Sequence, residues 1–192
     1  MFRHRLNIIL IFPAVFLSLL LNAQNISNKG TDFWVGYGLH QFMEQGQNNS
    51  QEMILYLSAE QPANVRVQIY GTGWVRNYSI PANTVIASDL IPKSGTYDAR
   101  LISLPCSFVP PGFPCGGEGK FSNKAIHITS DVPIVAYAHI YGSASSGATM
   151  LIPVEAWGYL YYSLNSKQEY APNCFSWCYA IAEHDSTVIE VT

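Results

Sequence analysis

Hydrophobic and polar residues alternate in short runs along most of the chain, with a period of two rather than the 3.6 of a helix. The clearest run is 64–70, where Val65, Val67 and Ile69 share one face and Arg66 and Gln68 the other. Gly71-Thr72-Gly73 then supplies turn chemistry. The pattern resumes over 74–80 until Pro81 stops it, so 64–80 reads as a β-hairpin. Further strands are predicted over 32–37, 53–57, 99–104, 125–129, 134–141, 148–152, 159–164, 177–182 and 187–191. Ser130-Asp131-Val132-Pro133 is predicted as a turn between two of these, and Glu183-His184-Asp185-Ser186 as a turn between the last two. Only 154–157 has the look of a helical turn. Many short strands with turn residues between them predict an all-β domain, a β-sandwich or layered antiparallel sheets.

The first two dozen residues break this pattern. Arg3 and Arg5 precede an apolar run from Leu6 to Leu21 interrupted only by Asn7, Pro13 and Ser18, and Ala23 offers a small residue for cleavage before Gln24. This is the layout of a signal peptide over 1–23, and Pro13 and the polar Gln24-Asn25 favour cleavage over a retained anchor. The mature segment, 24–192, is long enough for one domain with its own core. Residues 187–191 form an alternating run with no turn after it, so the domain is expected to be incomplete at its C-terminus, within a longer protein.

Charge narrows the partners. Without Arg3 and Arg5 the 10 basic residues become 8 against 13 acids, a formal charge of −5. Nucleic acid is therefore not an expected partner, nor is an anionic membrane surface, since both demand a basic stripe. With 12 Tyr, 9 Phe and 4 Trp against 12% charged residues, the surface is expected to be neutral and aromatic, suited to sugars or proteins.

Four cysteines in an exported chain suggest disulfides. Cys106 and Cys115 bracket one Pro- and Gly-rich loop, and Cys174 and Cys178 bracket a short aromatic stretch. Three pairings are open. A 106–115 staple with 174–178 as the second bridge is preferred, although 174–178 on one straight strand would span ~13 Å against the ~7 Å a bridge allows. The spacings match no standard zinc pattern, and neither a metal nor another cofactor is expected.

Catalytic signatures for metalloproteases, nucleophile elbows and phosphate loops do not occur in the sequence. A triad drawn from Asp131, His139 and Ser145 competes with a packed His139 inside a strand, and the packed histidine is preferred. His127 has the same reading. Asp32 and Glu155 are the one pair of acids set among apolar and aromatic residues, and they define the hydrolase alternative. The preferred reading is that each accepts backbone hydrogen bonds. Trp74, Tyr78, Trp157, Tyr161 and Tyr162 are candidates for stacking on sugars, against the commoner role of strand aromatics in the core.

Three blocks carry a family resemblance. They are Gly30-Thr31-Asp32-Phe33-Trp34-Val35-Gly36-Tyr37, the run from Ile126 to His139, and the run from Gly147 to Gly158. Their order and spacing resemble the N-terminal domain family of IgG-Fc-binding proteins, in the branch found in surface proteins of Bacteroidota-type bacteria. The resemblance implies a secreted or surface-displayed adhesion module, often joined in that family to repeats and a gliding-motility-associated sorting domain. It implies structural roles for Gly30, Gly36 and Gly158 in turns and for Trp34 and Trp157 in the core, and it brings no catalytic residue. The expected function is recognition of a glycan, a surface protein or a glycoprotein, mucin-like or immunoglobulin-like ligands among them. A structural stalk-base domain is the alternative. The mature domain is not expected to insert into a membrane.

Overall fold

The structure, a computed structural model, describes residues 27–38, 51–101, 122–142, 146–164 and 178–192. The predicted leader and Cys106, Cys115 and Cys174 lie outside these residues. The described part is all-β, an antiparallel sheet nearly closed into a barrel-like shape. Its seven strands are β1 (Gly30–Val35), β2 (Glu52–Ala59), β3 (Ala63–Ile69), β4 (Val75–Ile80), β5 (Thr84–Ala87), β6 (Ile126–Tyr141) and β7 (Ser146–Met150). Among the described residues no helix is long and apolar enough to cross a membrane.

The strand β6 organises the sheet. Its first half pairs with β1 on one edge and β3 on the other, and its second half pairs with β7 and β2. Ile134 faces Gly30 and Ala59 at once, so β1 and β2 lie on opposite edges there. It follows that β2 and β3 run end to end along one edge of β6, and β7 and β1 along the other. β5 and β4 form a further track outside β2 and β3.

All four tracks break at the same level, and each break contains a proline. Pro62 separates β2 from β3, Pro81 separates β4 from β5, Pro133 lies inside β6, and Pro153 follows β7. Proline has no N–H to give to a ladder, so it sits where pairing is interrupted. Residues 131–133 of β6 indeed take no part in the registers on either side. Gly30 permits the closest approach at this corner, because a Cβ there would stand 2.3 Å from Pro153 Cβ. Asp131 clasps the corner by accepting from the Asn64 backbone N–H and side-chain Nδ2, both at 2.8 Å.

The core follows from alternation that survives the corner. Ile126, Ile128, Ile134, Ala136 and Ala138 of β6 are buried, as are Met53, Leu55, Leu57 and Ala59 of β2 and Ala63, Val65, Val67 and Ile69 of β3. The same parity on both sides of the break keeps one face of each track inward, so the two halves line a single core. Phe33, Val35, Tyr37 and Trp74 complete it. The Tyr37 hydroxyl donates to the Gln51 carbonyl at 3.1 Å, and burial holds that phenol above the ordinary tyrosine range.

Several expectations are corrected. Residues 130–133 are not a turn: they continue β6, because its partners on both edges break alongside it rather than folding back. Thr84–Ala87 was not expected as a strand, and it forms the short edge β5 beside β2. Of 99–104, Arg100 alone makes a bridge, to Tyr37, among the described residues. The strand expected over 148–152 is Ser146–Met150, and the helical turn is a 3₁₀ turn at Val154–Ala156. Residues 159–164, 178–182 and 187–191 carry no strand. Their alternating pattern pairs with no strand among the described residues, and Tyr159, Tyr162, Leu164, Val188 and Val191 are strongly exposed.

Two measurements test this account. Leu57→Ala, at a fully buried position, is expected to lower the unfolding free energy by about 2–5 kcal/mol in urea titration. The second concerns acid. Two hydrogen bonds from Asn64 hold Asp131 below its ordinary value of 3.8. Burial pushes Asp98 up, but the Arg100 guanidinium outweighs it, and Asp98 is also held below 3.8. Depressed carboxyl groups contribute stability that is complete above the unfolded value and lost as pH falls through the folded one. Thermal midpoints are therefore expected to fall below pH 3.8, and Asp131→Asn is expected to flatten that dependence.

Candidate functional site

Inward residues fix the outward ones. With Phe33 and Val35 facing the core, Asp32 and Trp34 face out; with Ile126 and Ile128 inside, His127 and Thr129 face out. The registers Trp34↔His127 and Gln68↔His127 place these side chains side by side across three strands. On the outer face of the first half the His127 ring stacks on Trp34, with centroids 3.9 Å apart and planes 10° apart. Tyr70 meets Trp34 edge-on at 5.2 Å.

The hydrogen bonds of His127 define its role. Its Nε2 lies 3.0 Å from both carboxylate oxygens of Asp32, and its Nδ1 lies 3.2 Å from Gln68 Nε2. An amide nitrogen donates, so Nδ1 accepts, which leaves Nε2 to donate to Asp32. Both ring nitrogens are thus occupied, and Trp34 covers one ring face. A general base needs a nitrogen within reach of a substrate proton. This arrangement instead ties β1, β6 and β3 together.

The second half presents a different outer face. Tyr56 of β2 stands opposite Tyr137 of β6, and His139 and Tyr141 continue outward along β6. The His139 ring lies 5.9 Å from Tyr56 and 5.0 Å from Tyr141, with interplanar angles of 30° and 32°. His139 Nε2 and Ser146 Oγ are 2.7 Å apart. Tyr56 and Tyr137 are each more than a third exposed. Ala87 lies beside Tyr56 and Ala148 beside His139, whereas the larger Met150 lies beside Tyr137 and Ile54 on the other side of His139.

The residues singled out in the sequence are dispersed. Asp32 is engaged by His127, whereas Glu155 Oε1 accepts from Thr31 Oγ1 at 3.2 Å. Asp131 belongs to the corner clasp, His139 faces outward rather than into the core, and Ser145 lies outside the described residues. Trp34 and Trp157 are only partly buried, and Trp157 Nε1 donates to the Ile152 carbonyl at 3.0 Å. Trp74 is core, with the Arg76 guanidinium 4.9 Å from its ring centre. Tyr78 packs against the core, and its hydroxyl accepts from the Asp89 N–H at 3.0 Å. Tyr161 and Tyr162 are exposed on an irregular segment. Gly30 serves a strand rather than a turn, and Gly36 lets the Tyr179 ring approach, since a Cβ there would stand 2.9 Å from it. Cys178 is an exposed free thiol. Among the described residues no group of three His, Cys, Asp or Glu side chains is placed to hold a metal ion.

The row formed by Tyr56, Tyr137, His139 and Tyr141 was not foreseen. Its signal was the phase of 134–141: the apolar Ile134, Ala136 and Ala138 occupy one parity, and Val135 and the rings of Tyr137, His139 and Tyr141 the other. Alternation alone does not say which parity faces the core. Comparisons of the chain with family models, with curated proteins and with solved structures found no match.

The clasp reading of Asp32 is testable. Asp32→Ala is expected to lower stability by about 1–2 kcal/mol, a value reduced by partial exposure, and to shift tryptophan fluorescence as Trp34 loses its anchored partner. An unchanged urea midpoint and spectrum would refute it.

Proposed function

We propose that this chain is a binding domain of a secreted or cell-surface protein, akin to the N-terminal domains of IgG-Fc-binding proteins, and that it recognises a glycan, a glycoprotein or a surface protein. One observation carries the reading: a row of aromatic side chains held outward on the rigid central strands of the sheet. Rigid aromatic groups with polar tips supply large contact area at little cost in conformational entropy, which is why tyrosine is frequent in recognition surfaces. The basic and apolar leader pattern supports export, and the three sequence blocks support the family relation. Val85 and Met150, both exposed, widen the same outer face on either side of the row.

Purified full-length chain, prepared under oxidising conditions, is expected to capture one class of mucin-like or immunoglobulin-like glycoprotein saturably. If the folded protein captures none of them, the binding role gives way to a structural one within a surface assembly.

A further inference from the structure

We infer that the outer face of the second half is a stacking platform for a neutral oligosaccharide, with Tyr56, Tyr137, His139 and Tyr141 each facing one sugar ring or the link between two. This rests on the binding-domain reading and names the chemistry of its ligand. The first support is geometric. The Tyr56, His139 and Tyr141 rings follow one another at 5.9 and 5.0 Å with interplanar angles of 30° and 32°, and Tyr137 stands opposite Tyr56 in the register. That spacing is close to the repeat of pyranose rings in an extended chain, whose apolar C–H faces lie against aromatic faces. Ala87 beside Tyr56 and Ala148 beside His139 leave room for a ligand at those two positions, and Met150 adds an apolar side chain beside Tyr137.

The second support is electrostatic. The outward residues of this half are Ile54, Tyr56 and Ser58 on β2, Val85 and Ala87 on β5, and Val135, Tyr137, His139 and Tyr141 on β6, with Ser146, Ala148 and Met150 on β7. Among the described residues the one carboxylate at these outward positions is Glu52, opposite Tyr141, and Lys93 pairs with it at 2.8 Å. A face without net charge in an acidic chain matches an uncharged partner and gives a charged one nothing to pair with. The third is hydrogen-bonding capacity. The hydroxyls of Tyr56, Tyr137 and Tyr141 make no hydrogen bond among the described residues, and the His139–Ser146 pair is partly exposed. Sugar hydroxyls would meet donors and acceptors at the edges of an apolar platform, the usual composition of a small-molecule site.

The test is calorimetric titration of the full-length chain with neutral tetrasaccharides of glucose, mannose and N-acetylglucosamine, at low and at high salt. At least one is expected to bind with an affinity that salt leaves unchanged. Tyr137→Ala is expected to weaken it by roughly tenfold or more. Tyr137→Thr, which keeps a good strand former, is expected to do the same with an unaltered melting curve, separating contact from folding. Immobilised glycoproteins, intact and deglycosylated, distinguish the ways of failing. If no sugar binds but a deglycosylated protein is captured and Tyr137→Thr abolishes capture, the face binds protein and the glycan proposal is overturned while the binding role stands. Concentration-dependent dimers lost in the same variant would overturn it in favour of a second copy of the chain. Neither sugar nor protein bound would overturn both.

Discussion

The 16-residue strand β6 is paired along both edges in both halves of the sheet, and every described strand except β4 and β5 is hydrogen-bonded to it. Those two are held at one remove, through β3 and β2. The constraint on β6 is one of phase. Its buried residues must keep the same parity before and after the unpaired segment at 131–133, or one half would turn its polar face to the core. Ile126, Ile128, Ile134, Ala136 and Ala138 meet that constraint, and the partner strands meet it with them.

The corner is what allows a long strand to serve a compact core. A straight 16-residue strand would be ~53 Å long at ~3.3 Å per residue, far beyond what one small core can cover. Interrupting all tracks at one level, with a proline in each, lets the sheet bend without leaving ladder donors stranded. The Asn64–Asp131 hydrogen bonds then fix the bend where backbone pairing is missing. The bend also separates the outer surface into two faces with different chemistry. One carries the Asp32–His127–Gln68 chain under Trp34, with both His127 nitrogens bonded and the Trp34 Nε1 buried without a partner among the described residues. The other leaves phenolic and hydroxyl groups turned to solvent.

Much of this was legible in the sequence. The hairpin of β3 and β4 follows from strict alternation around Gly71-Thr72-Gly73, and Gly71 indeed takes a positive φ of 76°. The all-β class follows from the recurrence of such runs. What was not legible depends on long-range pairing. Ser130-Asp131-Val132-Pro133 has the composition of a turn, and only partner strands that bend alongside it keep it extended. Residues 187–191 have the composition of a strand, and among the described residues no edge pairs with them. His139 was assigned to the core because Val135 and Tyr137 share its parity, yet the competing set of Ile134, Ala136 and Ala138 won the interior. The aromatic row stayed hidden for the same reason.

The late position of β6 in the chain has a kinetic consequence. Asp32 and His127, which meet across β1 and β6, are 95 residues apart in sequence. The β3–β4 hairpin can close locally, but β1, β2 and β7 acquire their main partner only once β6 is in place. Pairings so distant carry a large loop-closure cost before they return any stabilisation, and domains built on them fold slowly. During that interval the apolar faces of β2 and β3 lack the β6 residues Ile126, Ile128, Ile134, Ala136 and Ala138 that share their core. The chain is thus most vulnerable to aggregation on the way to its fold, and that interval ends when residues 126–141 dock.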